Sequence, residues 1–124
     1  MRIVKTKEFA KWARKESLTD ESLIKVIHEM NQGLIGIALG GQIYKKRIAL
    51  QSGGKRGGAR TIIAFVVEDK AFFLYGYSKN QKASLNLREL KSFKMYGEHV
   101  IEFNDEELIV ATKSGELMEV VYNG

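Results

Sequence analysis

The chain has no cysteine and no proline among its 124 residues. Without cysteine neither a disulfide framework nor a thiolate metal site can form, which suits a reducing compartment. Histidine is scarce too: His28 and His99 stand alone, with no second histidine or clustered carboxylates at ligand spacing. That disfavours metal-assisted hydrolysis, and nothing in the sequence resembles a Ser-His-Asp triad. No apolar run approaches the ~18–20 residues that span a bilayer, and the N-terminus carries no apolar core of a signal peptide. A cytoplasmic protein without membrane contact is therefore expected. Repeats, low-complexity tracts and linkers are also missing, so residues 1–124 read as one domain.

What is present is basic. The net charge is +5 and the pI about 9.4, which points to an acidic partner. The excess is local: from Glu98 onward there are seven acids and one lysine, Lys113. Between Gly41 and Arg60, by contrast, lie six basic residues (Lys45, Lys46, Arg47, Lys55, Arg56, Arg60) and no acid.

Arg2 to Lys5 is a short strand candidate. Phe9, Ala10, Trp12 and Ala13 then give an amphipathic helix over Lys7 to Lys15. Thr19 is the expected N-cap of a second helix from Asp20 to about Gln32, with Asp20 and Glu21 at the positive end of its dipole. Leu34 to Gln42 reads as a glycine-broken connector. Ile43 to Leu50 is a strand with Tyr44, Lys46 and Ile48 on one face and Ile43, Lys45 and Arg47 on the other. Charge on both faces suits an edge strand, or one bank of a phosphate groove.

Gln51 to Ala59 holds four glycines and reads as a loop able to bring backbone N–H groups, Lys55 and Arg56 to a phosphate. It is neither a P-loop nor a dinucleotide fingerprint. Arg60 to Val67 and Ala71 to Tyr77 are apolar strands joined at Glu68-Asp69-Lys70, the kind that helices cover. An antiparallel hairpin would gather Arg60, Lys79, Asn80 and Lys82 at one end. Two further helices follow, capped at Asn86 and Asn104 with Glu89 and Glu107 completing capping boxes. The first should turn Leu87, Leu90, Phe93, Met95, Tyr96, Val100 and Ile101 inward through Gly97. Residues 83–124 thus form a helical extension, closing on a strand at Leu117 to Tyr122.

Lysines and arginines with asparagine, tyrosine and serine nearby can cleave RNA without a metal. The 2′-hydroxyl is the nucleophile, and the protein adds a base, an acid and cations. A lysine among other cations has a lowered pKa and can act as the base. The same set would serve a non-catalytic RNA-binding module.

LGGQIYKKRIA, GKRGGARTIIAF and FFLYGYSKNQKASL, in this order and spacing, resemble the RelE/HigB toxins of type II toxin–antitoxin modules. WARKESLTDESL and SGELMEV extend the likeness over nearly the whole chain, and KxGGxR and YGxxKN are its specific parts. The resemblance implies an α+β fold, a small, mostly antiparallel sheet with two N-terminal helices packed on it and C-terminal helices. It implies a ribosome-dependent endoribonuclease cutting messenger RNA, without a cofactor. A cognate antitoxin, commonly a helix-turn-helix protein, would be its partner beside the ribosome and mRNA. Within the motifs Arg60 resembles the phosphate-binding arginine, and Lys45 and Arg47 the basic pair of the preceding strand. Lys79, Asn80 and Lys82 match the polar cluster after the last core strand, with Lys46, Lys55, Arg56 and Tyr77 as flanking RNA contacts. Asn80 replaces an arginine of RelE proper, and the later tyrosine of RelE has no clear counterpart; Tyr77 and Tyr44 are substitutes. The superfamily also holds ParE-like gyrase inhibitors, which act by protein contact without nuclease residues.

Overall fold

The computed structural model describes residues 1–50, 54–81 and 84–121, the side chains of 54–57 excepted. These form a six-stranded sheet and four helices in an α+β arrangement. In chain order they are β1 (Arg2–Thr6), α1 (Lys7–Lys15), α2 (Asp20–Asn31), β2 (Ile37–Gly40), β3 (Ile43–Leu50), β4 (Gly54–Val66), β5 (Lys70–Ser78), α3 (Leu87–Ile101), α4 (Asp105–Ser114) and β6 (Leu117–Glu119). The sheet order is β2-β3-β4-β5-β1-β6, antiparallel except where β1 runs parallel to β5. Among the described residues no helix is long and apolar enough to cross a membrane.

Helices cover both faces, as the apolar runs of β4 and β5 require. On one side α1 and α2 bury Phe9, Leu23, Ile27 and Met30 against Ile63, Phe65 and Phe73. On the other α3 and α4 bury Val100, Ile101 and Leu108 against Ile62, Ala64, Phe72 and Leu74. The caps fix where each helix starts. Thr6 Oγ1 accepts from Phe9 N at 3.0 Å and donates to the carbonyl of Leu74, tying the entry of α1 to β5. Thr19 caps α2, and Asn86–Glu89 and Asn104–Glu107 form reciprocal capping boxes at α3 and α4.

Four local expectations need correction. The connector after α2 contains a strand, β2, which pairs with Ile43 to Lys45. Consequently β3 is not an edge strand over its first half; among the described residues only its stretch from Lys46 onward lacks an outer partner. The glycine-rich stretch is not loop throughout, because β4 already begins at Gly54, opposite Leu50. Leu87 and Met95 do not join the inner face of α3 but stand exposed. Gly97 is what lets that helix lie close, since a Cβ there would collide with Ile43 Cδ1 and stand 2.9 Å from Leu74 Cδ1.

One irregularity sets up the site. The β4–β5 register pairs Ile62 with Tyr75 but Ile63 with Phe73, leaving Leu74 as the extra residue of a bulge. Strict alternation from Phe73 would turn Tyr75 and Tyr77 toward α1. The bulge reverses the phase, so both follow Leu74 onto the α3 side. Gly76 then faces α1, where a side chain would collide with the Trp12 ring.

Candidate active site on the half-covered face

Antiparallel partners point to the same face, so the register shows which side chains share a surface. Arg47 pairs with Arg60, and Arg60 with Tyr77, forming one row across β3, β4 and β5. The adjacent row on that face is Lys45, Ile62 and Tyr75. At ordinary strand spacing each row spans about 10 Å, and successive rows on one face are about 7 Å apart. The helix α3 covers the apolar part of this face and borders the second row, where Phe93 stacks on Tyr75 at 4.5 Å and 22°. Tyr75 in turn lies 6.1 Å from Tyr77, tilted by 32°.

Two arginines directly opposite each other repel, a placement that stability alone disfavours. Arg60 is only half-buried, yet its Nη1 is shielded from solvent and has no hydrogen-bond partner among the described residues. A buried donor left so costs about 1–3 kcal/mol. A phosphate oxygen would satisfy it and offset the repulsion, because an anion accepts from guanidinium groups in a bidentate, charge-assisted way. Guanidinium groups so placed suit an anion as ligand.

The other expected residues separate cleanly. Lys79 continues past β5 opposite Gly58, its N–H donating to the Gly58 carbonyl at 3.4 Å. Lys79 and the adjoining Asn80 are exposed, at the same end of the sheet as the Arg47–Arg60–Tyr77 row. Lys46 points to the opposite face, where its Nζ lies 3.4 Å from Glu29 Oε1 of α2. Tyr44 also faces that way, edge-on to Phe65 at 6.1 Å. Of the two substitutes for the missing tyrosine, only Tyr77 stands on the Arg60 face, and it is 4% exposed. The side chains of Lys55, Arg56 and Lys82 lie outside the described residues.

The acidic C-terminal segment makes contacts of its own at the far edge of the sheet. Glu119 of β6 accepts from Arg2 at 2.6 Å, and Glu116 accepts from the Tyr96 hydroxyl at 2.9 Å. Burial, reinforced by the Glu116 carboxylate, pushes the Tyr96 phenol well above its ordinary range. Its hydroxyl therefore stays protonated as a donor.

Sequence reasoning missed Tyr75 and Phe93 as walls of this site. The only signal was four consecutive large apolar residues, Phe72 to Tyr75, more than strict alternation needs on either face. A bulge hidden in such a run leaves no other mark.

A family model described as the RelE toxin of the RelE / RelB toxin-antitoxin system matches residues 1–120. The match takes in every element from β1 to β6, the half-covered face included. The chain belongs to the RelE family of toxins from toxin–antitoxin systems.

Proposed function

We propose that this toxin is a ribosome-dependent messenger-RNA interferase, cleaving by attack of the RNA's own 2′-hydroxyl. The observation that carries the reading is the Arg47–Arg60–Tyr77 row with its unpartnered guanidinium nitrogen. Arg60 and Arg47 hold the non-bridging oxygens of the scissile phosphate and neutralise the charge that builds in the phosphorane-like transition state. Lys45, half-buried in the next row, is the first candidate for the base, and the exposed Lys79 the second. The base takes the 2′-hydroxyl proton, the 2′-oxygen bonds to phosphorus, and the bond to the 5′-oxygen breaks. That oxygen leaves protonated, as a 5′-hydroxyl end, with Tyr77 or Lys79 as the donor. Asn80 positions the nucleotide at the exit of β5. The partner that silences the toxin is a cognate antitoxin, of helix-turn-helix type as the HigB likeness implies.

The test joins a phenotype to a chemical product. Brief induction should halt translation before replication and leave transcripts with new 5′-hydroxyl ends. Arg60→Ala should abolish both growth arrest and the new ends. The variant should melt at or above the wild-type temperature, because the orphaned buried donor goes with it. Full toxicity in Arg60→Ala removes this assignment. Arrest of replication ahead of translation, with intact transcripts, points instead to a gyrase inhibitor acting by protein contact.

A further inference from the structure

Phe93 is common to two places. It stacks on Tyr75, and it also lines a cavity of about 410 Å³ together with Leu74 of β5, Tyr96 of α3, Lys7 and Glu8 of the first turn of α1, and Glu116 after α4. Strand β1 runs parallel to β5 and ends at Thr6, whose hydroxyl donates to the Leu74 carbonyl. The first turn of α1 therefore emerges beside the end of β5, the end of the sheet that carries the Arg47–Arg60–Tyr77 row. From that row to the cavity the contacts run ring to ring, Tyr77 to Tyr75 at 6.1 Å and Tyr75 to Phe93 at 4.5 Å.

The chemistry of the lining selects among ligands. Its volume falls within the roughly 300–1,000 Å³ usual for small-molecule sites. Leu74 and Phe93 give it apolar walls, and an aromatic ring is a stacking surface for any nucleobase. The carboxylates of Glu8 and Glu116 make it a poor place for a phosphate and a good one for N–H donors. Glu116 is held in position: its Oε2 accepts from the Tyr96 hydroxyl at 2.9 Å, and Gly115, at φ 84°, turns the chain out of α4 just before it. A carboxylate engaged at one point keeps lone pairs for a further donor. Adenine, cytosine and guanine each present an exocyclic amino group, which a carboxylate accepts well. Uracil presents one ring N–H between two carbonyl oxygens, which a carboxylate repels.

We propose that this cavity takes one base of the message next to the cleaved phosphate, stacked on Phe93, and that Glu116 reads its amino group, so that uracil is disfavoured there. The inference rests on the nuclease reading and deepens it: the cationic rows take the phosphate and the cavity takes the base. Glu116 then determines specificity. Tyr96 is a positioning residue that acts through it.

The experiment measures cleavage on ribosomes programmed with messages that differ at a single base, placed on one side or the other of the cleaved phosphate. At one of these positions the wild type should cut the A, C and G messages several-fold faster than the U message. Glu116→Ala should bring that ratio close to one. Tyr96→Phe, which takes away the donor that holds Glu116, should shrink it in part. Phe93→Leu should slow all four messages roughly tenfold and keep the ratio, since every base shares the stacking surface. Thermal melts establish that each variant is folded at the assay temperature, and Glu116→Gln replaces Glu116→Ala should the latter not be. An unchanged ratio in the Glu116 variant overturns the inference, because the ribosome would then be setting the preference. A wild type indifferent to the base at both positions overturns it as well. The parent reading fails separately: either the wild type generates no 5′-hydroxyl ends on any message, or Arg60→Ala still does.

Discussion

The two faces of the sheet are made by the same strands and come to opposite ends. Toward α1 and α2 the alternation is completed: Phe9, Phe65 and Phe73 are sealed, and the one lysine that β3 sends there, Lys46, is met by Glu29. Toward α3 and α4 it is completed only in part. Ile43, Ile62 and Leu74 are roofed, but past the Phe93–Tyr75 stack Lys45 and Arg60 are only half-buried and Arg47 is exposed. Burial of a face is thus decided by how far its helix reaches, and the uncovered remainder is where a ligand can displace water. The sealed face should answer to changes of size, and the open face to changes of charge.

The largest effect expected from that contrast lies on the sealed side. Phe73 is fully buried and packs on Phe9 at 5.0 Å between centroids. Phe73→Ala should lower the unfolding free energy by about 3–5 kcal/mol, a large part of the ~5–15 kcal/mol typical of a domain. Urea denaturation measures it. Arg60→Ala, on the open side, should lose activity and no stability. If the two variants lost stability alike, the division between the faces would be wrong.

Much of this architecture was legible in the sequence because short-range chemistry dictated it. The caps at Thr19, Asn86 and Asn104, and the opposite faces of Lys45 and Lys46, follow from side-chain hydrogen bonding and from a period of two. The convergence of Arg60 with the end of β5 follows from hairpin geometry. What stayed hidden depends on tertiary contact. The strand β2 exists because β3 offers it a ladder, and its four residues, Ile37–Gly40, are too few to show a period. The bulge at Leu74 is a register choice within a uniformly apolar run. Leu87 and Met95 fitted an apolar helix face, but the sheet beneath α3 is only wide enough for the stripe through Phe93, Gly97, Val100 and Ile101.

An intermediate effect is expected where the roof meets the open face. Gly97 allows α3 to rest against Ile43 and Leu74, so Gly97→Val must lift the helix or displace both side chains. Overpacking of this kind costs roughly 1–3 kcal/mol. Lifting α3 also draws Phe93 away from Tyr75, so cleavage per folded molecule should fall as well. A variant that lost stability and kept full specific activity would show that the stack encloses the site without shaping it.

The smallest effect separates the two helices on that side. Asn86 and Asn104 make the same capping box, with bonds of 2.8 Å and 3.1 Å at α3 and 2.8 Å and 3.0 Å at α4. Replacing either by alanine should cost about 1 kcal/mol, since each frees one helix end of a comparable hydrogen bond. Their consequences for function should differ. The first turns of α3 lead into Phe93 at the border of the cationic rows, whereas α4 packs toward β6 at the far edge. Asn86→Ala should therefore lower cleavage several-fold where Asn104→Ala leaves it intact, at matched stability in the same denaturation assay. Equal activities would mean that α3 is held over the open face by its C-terminal half alone, through Gly97, Val100 and Ile101.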